Sequence, residues 1–141
     1  MISFDSKNVV MPDIDIEKVS TWLEMVAESH SRRIGNLCYL FCNDDEILDV
    51  NRRFLNHDYF TDIITFDYSR KDKVSGDIFI SLDTVKSNSV DLKTSYNTEL
   101  LRVIVHGLLH LCGIKDKSPE ERIVMERNED QALELLENLK R

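Results

Sequence analysis

Glu99-Leu100-Leu101-Arg102-Val103-Ile104-Val105-His106-Gly107-Leu108-Leu109-His110-Leu111-Cys112-Gly113 is the stretch on which the fold turns. Nearly every residue from Leu100 to Cys112 is apolar, which predicts a helix buried almost all round. Its polar residues, Glu99, Arg102, His106 and His110, are spaced by three, four and four, so they fall on one line along the cylinder. Two histidines one turn apart have Cβ atoms about 5–6 Å from each other, and both rings can reach one ion at ~2.0–2.1 Å. A lone histidine in an apolar helix is commonly a core residue bonded to a carbonyl. Two on the only polar line would each need a separate buried partner, and this favours a shared metal.

The third ligand follows the helix. Gly113 stands where a left-handed C′ residue terminates a helix, and the turn swings Asp116 toward the histidine pair. Two histidines and one carboxylate leave a fourth position for water, the pattern of a catalytic site more than of a closed structural one. Lys117 does not ligate while protonated. Cys112 lies six residues past His106, on roughly the opposite side of the helix.

The run from His106 to Asp116 resembles the His-Gly-x-Leu-His-Leu-x-Gly-x-x-His signature of the YbeY endoribonucleases, the bacterial rRNA maturation factors, with Asp116 in place of the third histidine. Thr61-Asp62-Ile63-Ile64-Thr65-Phe66 and Gly76-Asp77-Ile78-Phe79-Ile80-Ser81 are similar to two strands of that family, in the same order. The resemblance spans about residues 36 to 135. It implies a metal-dependent endoribonuclease specific for single strands, with His106, His110 and Asp116 on zinc. It also implies RNA as partner, a role at the 3′ end of small-subunit rRNA, and ribosome quality control. A carboxylate is harder than imidazole, so Mn2+ or Mg2+ stands beside Zn2+. The chain departs from the family at Leu55 and His57, where an arginine and a lysine are usual.

Composition sets the frame. At 141 residues the chain fits a single hydrolase domain over 1–141, and a hydrophobic fraction of 42% with 31% charged residues is ordinary for a globular protein. No apolar run approaches the ~20 residues of a membrane span, and Met1-Ile2-Ser3-Phe4-Asp5 does not read as a signal peptide, so a cytoplasmic location is expected. Cys38, Cys42 and Cys112 are expected to be reduced, buried small hydrophobes. A net charge of −8 argues against nonspecific coating of nucleic acid. Arg32-Arg33, Arg52-Arg53 and Arg70-Lys71-Asp72-Lys73 are local basic patches, read first as solvated surface.

Elsewhere, Ile2–Phe4 alternates as a short strand. Ile16, Val19, Trp22, Leu23 and Val26 predict an amphipathic helix over about 15–30, capped by Asp13 or Asp15, with Trp22 in the core and His30 exposed. Leu37–Cys42 reads as a buried strand. Asn43 and Glu46 open a helix burying Ile47, Val50 and Phe54. Asn56–Phe60 reads as a loop. Asp62–Tyr68 and Asp77–Leu82 are strands suited to a hairpin. Asp83 is the expected cap of a weak helix through about Leu92, and Thr94, Ser95 or Asn97 opens the histidine helix. Ser118-Pro119-Glu120-Glu121 starts a last helix running almost to Arg141 and burying Val124, Met125, Ala132, Leu135, Leu136 and Leu139. The expected class is α+β, a small mixed sheet of four strands packed with about five helices around the buried histidine helix.

Three protein ligands and an open position suit phosphodiester cleavage, since a divalent ion acidifies water or polarises a phosphoryl oxygen. Spacing alone does not separate RNA from peptide. A minimal zinc metalloprotease is the alternative, but the His-Glu-x-x-His enzymes carry a glutamate base where Gly107 stands. Glycine there opens the helix to a bulky substrate or to a close neighbouring element. His57 is a candidate proton carrier against the plainer reading of a surface histidine. Arg102 either contacts phosphate or pairs with Glu99 or the last helix's acids, the structural role being favoured. A ribosome-assembly factor with a structural metal is the third reading.

Overall fold

Four runs rich in β-branched and aromatic residues pair into one sheet in the computed structural model, which describes residues 1–55 and 61–139. The strands are β1 (Ile2–Ser6), β2 (Arg33–Cys42), β3 (Ile63–Asp67) and β4 (Lys73–Ser81). The helices are α1 (Ile16–Ser29), α2 (Asp44–Phe54), α3 (Leu82–Asp91), α4 (Tyr96–Leu111) and α5 (Pro119–Leu139). Strand order is β1-β2-β4-β3, with β1, β2 and β4 parallel and β3 antiparallel on the edge. Among the described residues this is the expected α+β architecture, and β3 and β4 form the hairpin. The loop expected over 56–60, including His57, lies outside the described residues.

Strands β2 and β4 begin at Arg33 and Lys73, earlier than Leu37 and Asp77 as the sequence suggests. The added segments are polar and contain glycine, so they carry little strand signal alone. Each supplies the other's ladder, Arg33 facing Lys73 and Ile34 facing Val74, with a register shift before Leu37.

α4 lies at the centre of the core. Leu100, Ile104, Leu108 and Leu109 are almost wholly buried, and the Tyr39 hydroxyl on β2 donates to the Ile104 carbonyl at 2.7 Å. Trp22 is buried as expected and ties α1 to α5 by donating to the Ala132 carbonyl at 2.7 Å. Asp15 caps α1, Asn43 caps α2 and Ser95 caps α4. Ser118 and Glu121 close a reciprocal capping box at α5, with bonds of 2.9 and 3.1 Å.

Several expectations need correction. Ser81, not Asp83, caps α3, because β4 passes into the helix without a loop. The Asp83 carboxylate instead accepts from the Asp44 amide at 3.1 Å, while Asp44 accepts from Ser81 and Thr84 hydroxyls, both at 2.6 Å. Ile16, Phe54 and Val124 are exposed; Ile16 and Phe54 are the first residue of α1 and the last of α2, and the Phe54 ring meets the Phe66 ring edge-on, at 5.9 Å between centroids. Leu135 and Leu139 are only half-buried against the core. Cys38 is exposed because its side chain points to the opposite face from Leu37 and Tyr39. His30 is half-buried at the C-cap of α1.

Candidate metal centre

The end of α4 builds the site. Gly113 adopts a φ of 97°, its amide donates to the His110 carbonyl at 2.9 Å, and the Ile114 amide donates to the Leu109 carbonyl at 3.1 Å. These two bonds form the Schellman ending that reverses the chain. A Cβ at Gly113 would meet nothing within 4 Å, so conformation and not space demands glycine there.

The reversal brings Asp116 onto the histidine pair. Its Oδ2 stands 3.3 Å from the Nε2 of His106 and 3.3 Å from the Nε2 of His110. The two rings are 4.5 Å apart between centroids and nearly perpendicular, at 83°. All three ligand atoms lie within 4.8 Å of one another, and all three side chains are half-buried. Tetrahedral ligands held at ~2.1 Å from an ion are roughly 3.4 Å apart. The two short separations match that spacing, and the donor set is one a divalent ion accepts.

Around these residues runs a chain of charge. Glu129 on α5 is buried, and its Oε2 accepts from His106 Nδ1 at 2.5 Å. Its Oε1 accepts from Arg102 at 3.0 Å, and Arg102 also donates to Asp130 at 3.0 Å. Arg102 therefore takes the structural role, paired with the last helix and not with Glu99. A carboxylate at Nδ1 keeps the proton on that nitrogen and leaves the Nε2 lone pair facing Asp116. Burial pulls the His106 pKa down, but the Glu129 bond and charge, with Asp116 and Asp62, outweigh it and raise the net value. Burial lowers His110, and the neighbouring His106 lowers it further.

Glu129 escapes a reading by local spacing, although a signal exists. It sits on the stripe Met125, Glu129, Ala132, Leu136, the buried face of α5, where a carboxylate needs a partner. Asp62 is a second residue given no role by the sequence. Burial raises its carboxyl pKa, and its Oδ2 accepts from the Asn88 amide at 3.3 Å. Asp62, Asn88, Glu99, Arg102, His106 and Glu129 line a cleft of about 540 Å³ along α4.

The basic patches are only partly gathered. The ladder sets Arg33 against Lys73, Arg33 pairs with Asp72 at 3.5 Å, and Arg32 donates to the Cys112 carbonyl at 3.5 Å. The patches at 32–33 and 70–73 thus share the end of the sheet where α4 finishes. Arg53 pairs with Asp49 on the exposed face of α2 at 3.3 Å.

A family model described as Endoribonuclease YbeY matches residues 2–137. The Endoribonuclease YbeY of Phocaeicola vulgatus is 54% identical over 136 residues, covering 96% of this chain and 99% of its own. That of Bacteroides thetaiotaomicron is 51% identical over 132 residues, covering 94% and 96%. The solution structure of TM1509 from Thermotoga maritima superposes with a TM-score of 0.69 at 25% identity, covering 96% of this chain and 89% of that one.

Proposed function

This chain belongs to the endoribonuclease YbeY family, and from that premise we propose that it is a metal-dependent endoribonuclease whose ion is held by His106, His110 and Asp116. The observation that carries the metal is the convergence of two imidazole nitrogens on one Asp116 oxygen, 3.3 Å from each. A divalent ion bound there supplies Lewis acidity to a phosphoryl oxygen and acidifies water. The protein's own part is orientation. His106 and His110 present Nε2, Asp116 presents Oδ2, Glu129 holds the Nδ1 proton of His106, and Arg102 holds Glu129. Zinc suits two imidazoles and a carboxylate, and the harder carboxylate admits manganese or magnesium. The substrate in this reading is single-stranded RNA, the 3′ end of small-subunit rRNA and defective ribosomes being its cellular targets, in the cytoplasm.

Packing at Gly107 favours this over the peptidase reading. A Cβ there would stand 3.0 Å from both Ile63 Cδ1 and Ile78 Cδ1, so the residue faces the sheet and not the cleft. The general base of a His-Glu-x-x-His peptidase has no room at this position, and of the two uses of glycine the close neighbouring element applies.

The test incubates labelled single-stranded RNA, a structured rRNA 3′-end fragment and casein with the wild type and His106→Ala, with and without added Zn2+. RNA cut by the wild type alone supports the proposal. Casein cleavage transfers the protein to the peptidases. Cleavage of neither, with zinc bound, leaves an assembly factor.

A further inference from the structure

An RNA strand carries a phosphate at every step, and the cleft along α4 repels it. Asp62, Glu99, Glu126, Glu129 and Asp130 line that cleft, and the cation among its lining, Arg102, is engaged by Glu129 and Asp130 at 3.0 Å each. The opposite charge is gathered beyond the C-terminal end of α4. Arg32 donates to the carbonyl of Cys112, the C-cap of α4, at 3.5 Å. Its neighbour Arg33 faces Lys73 in the β2–β4 ladder, and Arg70 is bridged to Lys73 across the turn of the β3–β4 hairpin. Lys115 and Lys117 flank Asp116, and both are exposed, as are Arg33, Arg70, Lys71 and Lys73.

This region inverts the balance of the chain. Residues 32–33, 67–75 and 115–117 hold seven cations and three carboxylates, one of them Asp116, where the whole sequence has 18 bases and 26 acids. The two acids of the hairpin are engaged nearby: Asp72 pairs with Arg33 at 3.5 Å, and Asp67 accepts from the Ser69 amide at 2.8 Å. Arg70, Lys71 and Lys73 make no ion pair among the described residues, so their charge is free to meet an anion from outside.

An aromatic ring stands in the same hairpin. Tyr68 is 59% exposed, its amide donates to the Ser75 carbonyl at 2.9 Å, and its hydroxyl donates to Asp77 at 3.4 Å. Cations beside an exposed ring suit an unpaired strand, whose phosphates take the charges while a base stacks on the ring. A duplex, with its bases already stacked on each other, gains only the first of these. We infer that the end of the sheet beyond α4 is a docking surface for single-stranded RNA, on which Lys115, Lys117, Arg33, Lys71 and Lys73 take phosphates and Tyr68 stacks a base. The inference deepens the endoribonuclease reading and rests on it for the identity of the strand. These are binding residues, and none takes part in breaking the bond.

Binding tests the surface apart from cleavage. The probe is a fluorescein-labelled oligouridine of about 12 nucleotides, within the length that single-strand sites cover, blocked at its 2′ positions by methyl groups and followed by anisotropy from 50 to 200 mM salt. Lys71→Gln/Lys73→Gln should bind more weakly than the wild type, with a salt slope shallower by about 1.4, so the gap narrows roughly 7-fold across that range. Lys86→Gln/Arg127→Gln makes the same change in net charge elsewhere and should match the wild type. Tyr68→Ala should lose between about 5-fold and 150-fold, the range of one stacked base, while Tyr68→Phe, which keeps the ring and drops the Asp77 bond, should stay within about twofold. With the unblocked RNA and Zn2+, the hairpin variants should raise KM and leave kcat unchanged. All the substituted side chains are exposed, and far-UV circular dichroism checks that each variant is folded. Equal affinity of the wild type and Lys71→Gln/Lys73→Gln overturns the surface, as does an equal loss in the control pair or a fall in Tyr68→Phe as deep as in Tyr68→Ala. Cleavage by the wild type with any of these results leaves the nuclease intact. The expected binding losses without cleavage of the unblocked RNA keep the surface and remove the nuclease reading.

Discussion

Glu129 reaches His106 from a different helix, and this contact fixes which ring nitrogen is free to ligate. Carboxylates that orient a metal-bound histidine typically matter 10-fold to 100-fold in affinity. Glu129→Ala should therefore weaken Zn2+ binding by roughly that factor in competition with a chromophoric chelator, while His110→Ala should weaken it far more. Equal binding by wild type and Glu129→Ala would reduce the contact to packing. Glu99 makes a second prediction, in the opposite direction for stability. Burial raises its carboxyl pKa above the ordinary 4.5, so the folded chain retains a proton there that the unfolded chain has released. Stability then falls as pH climbs from about 4.5 through the raised value, and the penalty persists above it. Glu99→Gln carries no such charge and should melt higher than the wild type at pH 7.5, the two curves converging toward pH 4. His106, His110 and Asp116 are legible in the sequence because helix period and a terminating glycine are local rules. Glu129 is not, since its partner is set by how α5 packs on α4.

At the scale of elements, caps and periods carry most of the information. Asn43, Ser95 and Ser118 bond the amides three residues on, as their types require. Asp83 fails as a cap because β4 enters α3 directly, a connection whose length the residues do not encode. Phe54, the last residue of α2, stays exposed although its ring meets Phe66 edge-on, because an end position has neighbours on one side only. Where α4 meets the sheet, glycine sets the approach, and two substitutions should behave differently. A Cβ at Gly76 would stand 2.4 Å from the Phe66 carbonyl, a backbone atom of the neighbouring strand that cannot give way without breaking the ladder. At Gly107 the obstacles are the ends of two isoleucine side chains, at 3.0 Å. Gly76→Ala should cost about 1–3 kcal/mol or more by urea denaturation. Gly107→Ala should stay within roughly 1 kcal/mol of the wild type, because the helix gains about that much when glycine becomes alanine. The reverse ranking would mean that α4, and not the β3–β4 hairpin, is the stiffer partner.

Across the whole molecule, the order β1-β2-β4-β3 depends on pairings between residues far apart in the chain, so the sequence indicates a mixed sheet but not which strands adjoin. The same nonlocal packing decides what an ion contributes. The apolar face of α4 is buried in the core, the Trp22 bond joins α1 to α5, and the Tyr39 bond joins β2 to α4, none of which involves His106, His110 or Asp116. These three side chains, on the last two turns of α4 and just beyond it, are half-buried. In a metal-free chain His106 still has Glu129 and Asp116 to pair with, so removing an ion leaves no isolated charge in the core. Such a site stabilises the fold only by mass action, about 2.7 kcal/mol at a hundredfold excess over Kd. For a chain of this size that is a shift of roughly 10 °C in the melting midpoint. EDTA should thus abolish RNA cleavage while far-UV circular dichroism at 25 °C is unchanged and unfolding stays cooperative, with Zn2+ restoring both activity and midpoint. A structural zinc behaves otherwise: it contributes on the order of 10 kcal/mol, and chelation unfolds its host. Loss of the cooperative transition on chelation would therefore show that the ion holds the turn after Gly113 together, and would return the assembly-factor reading to first place.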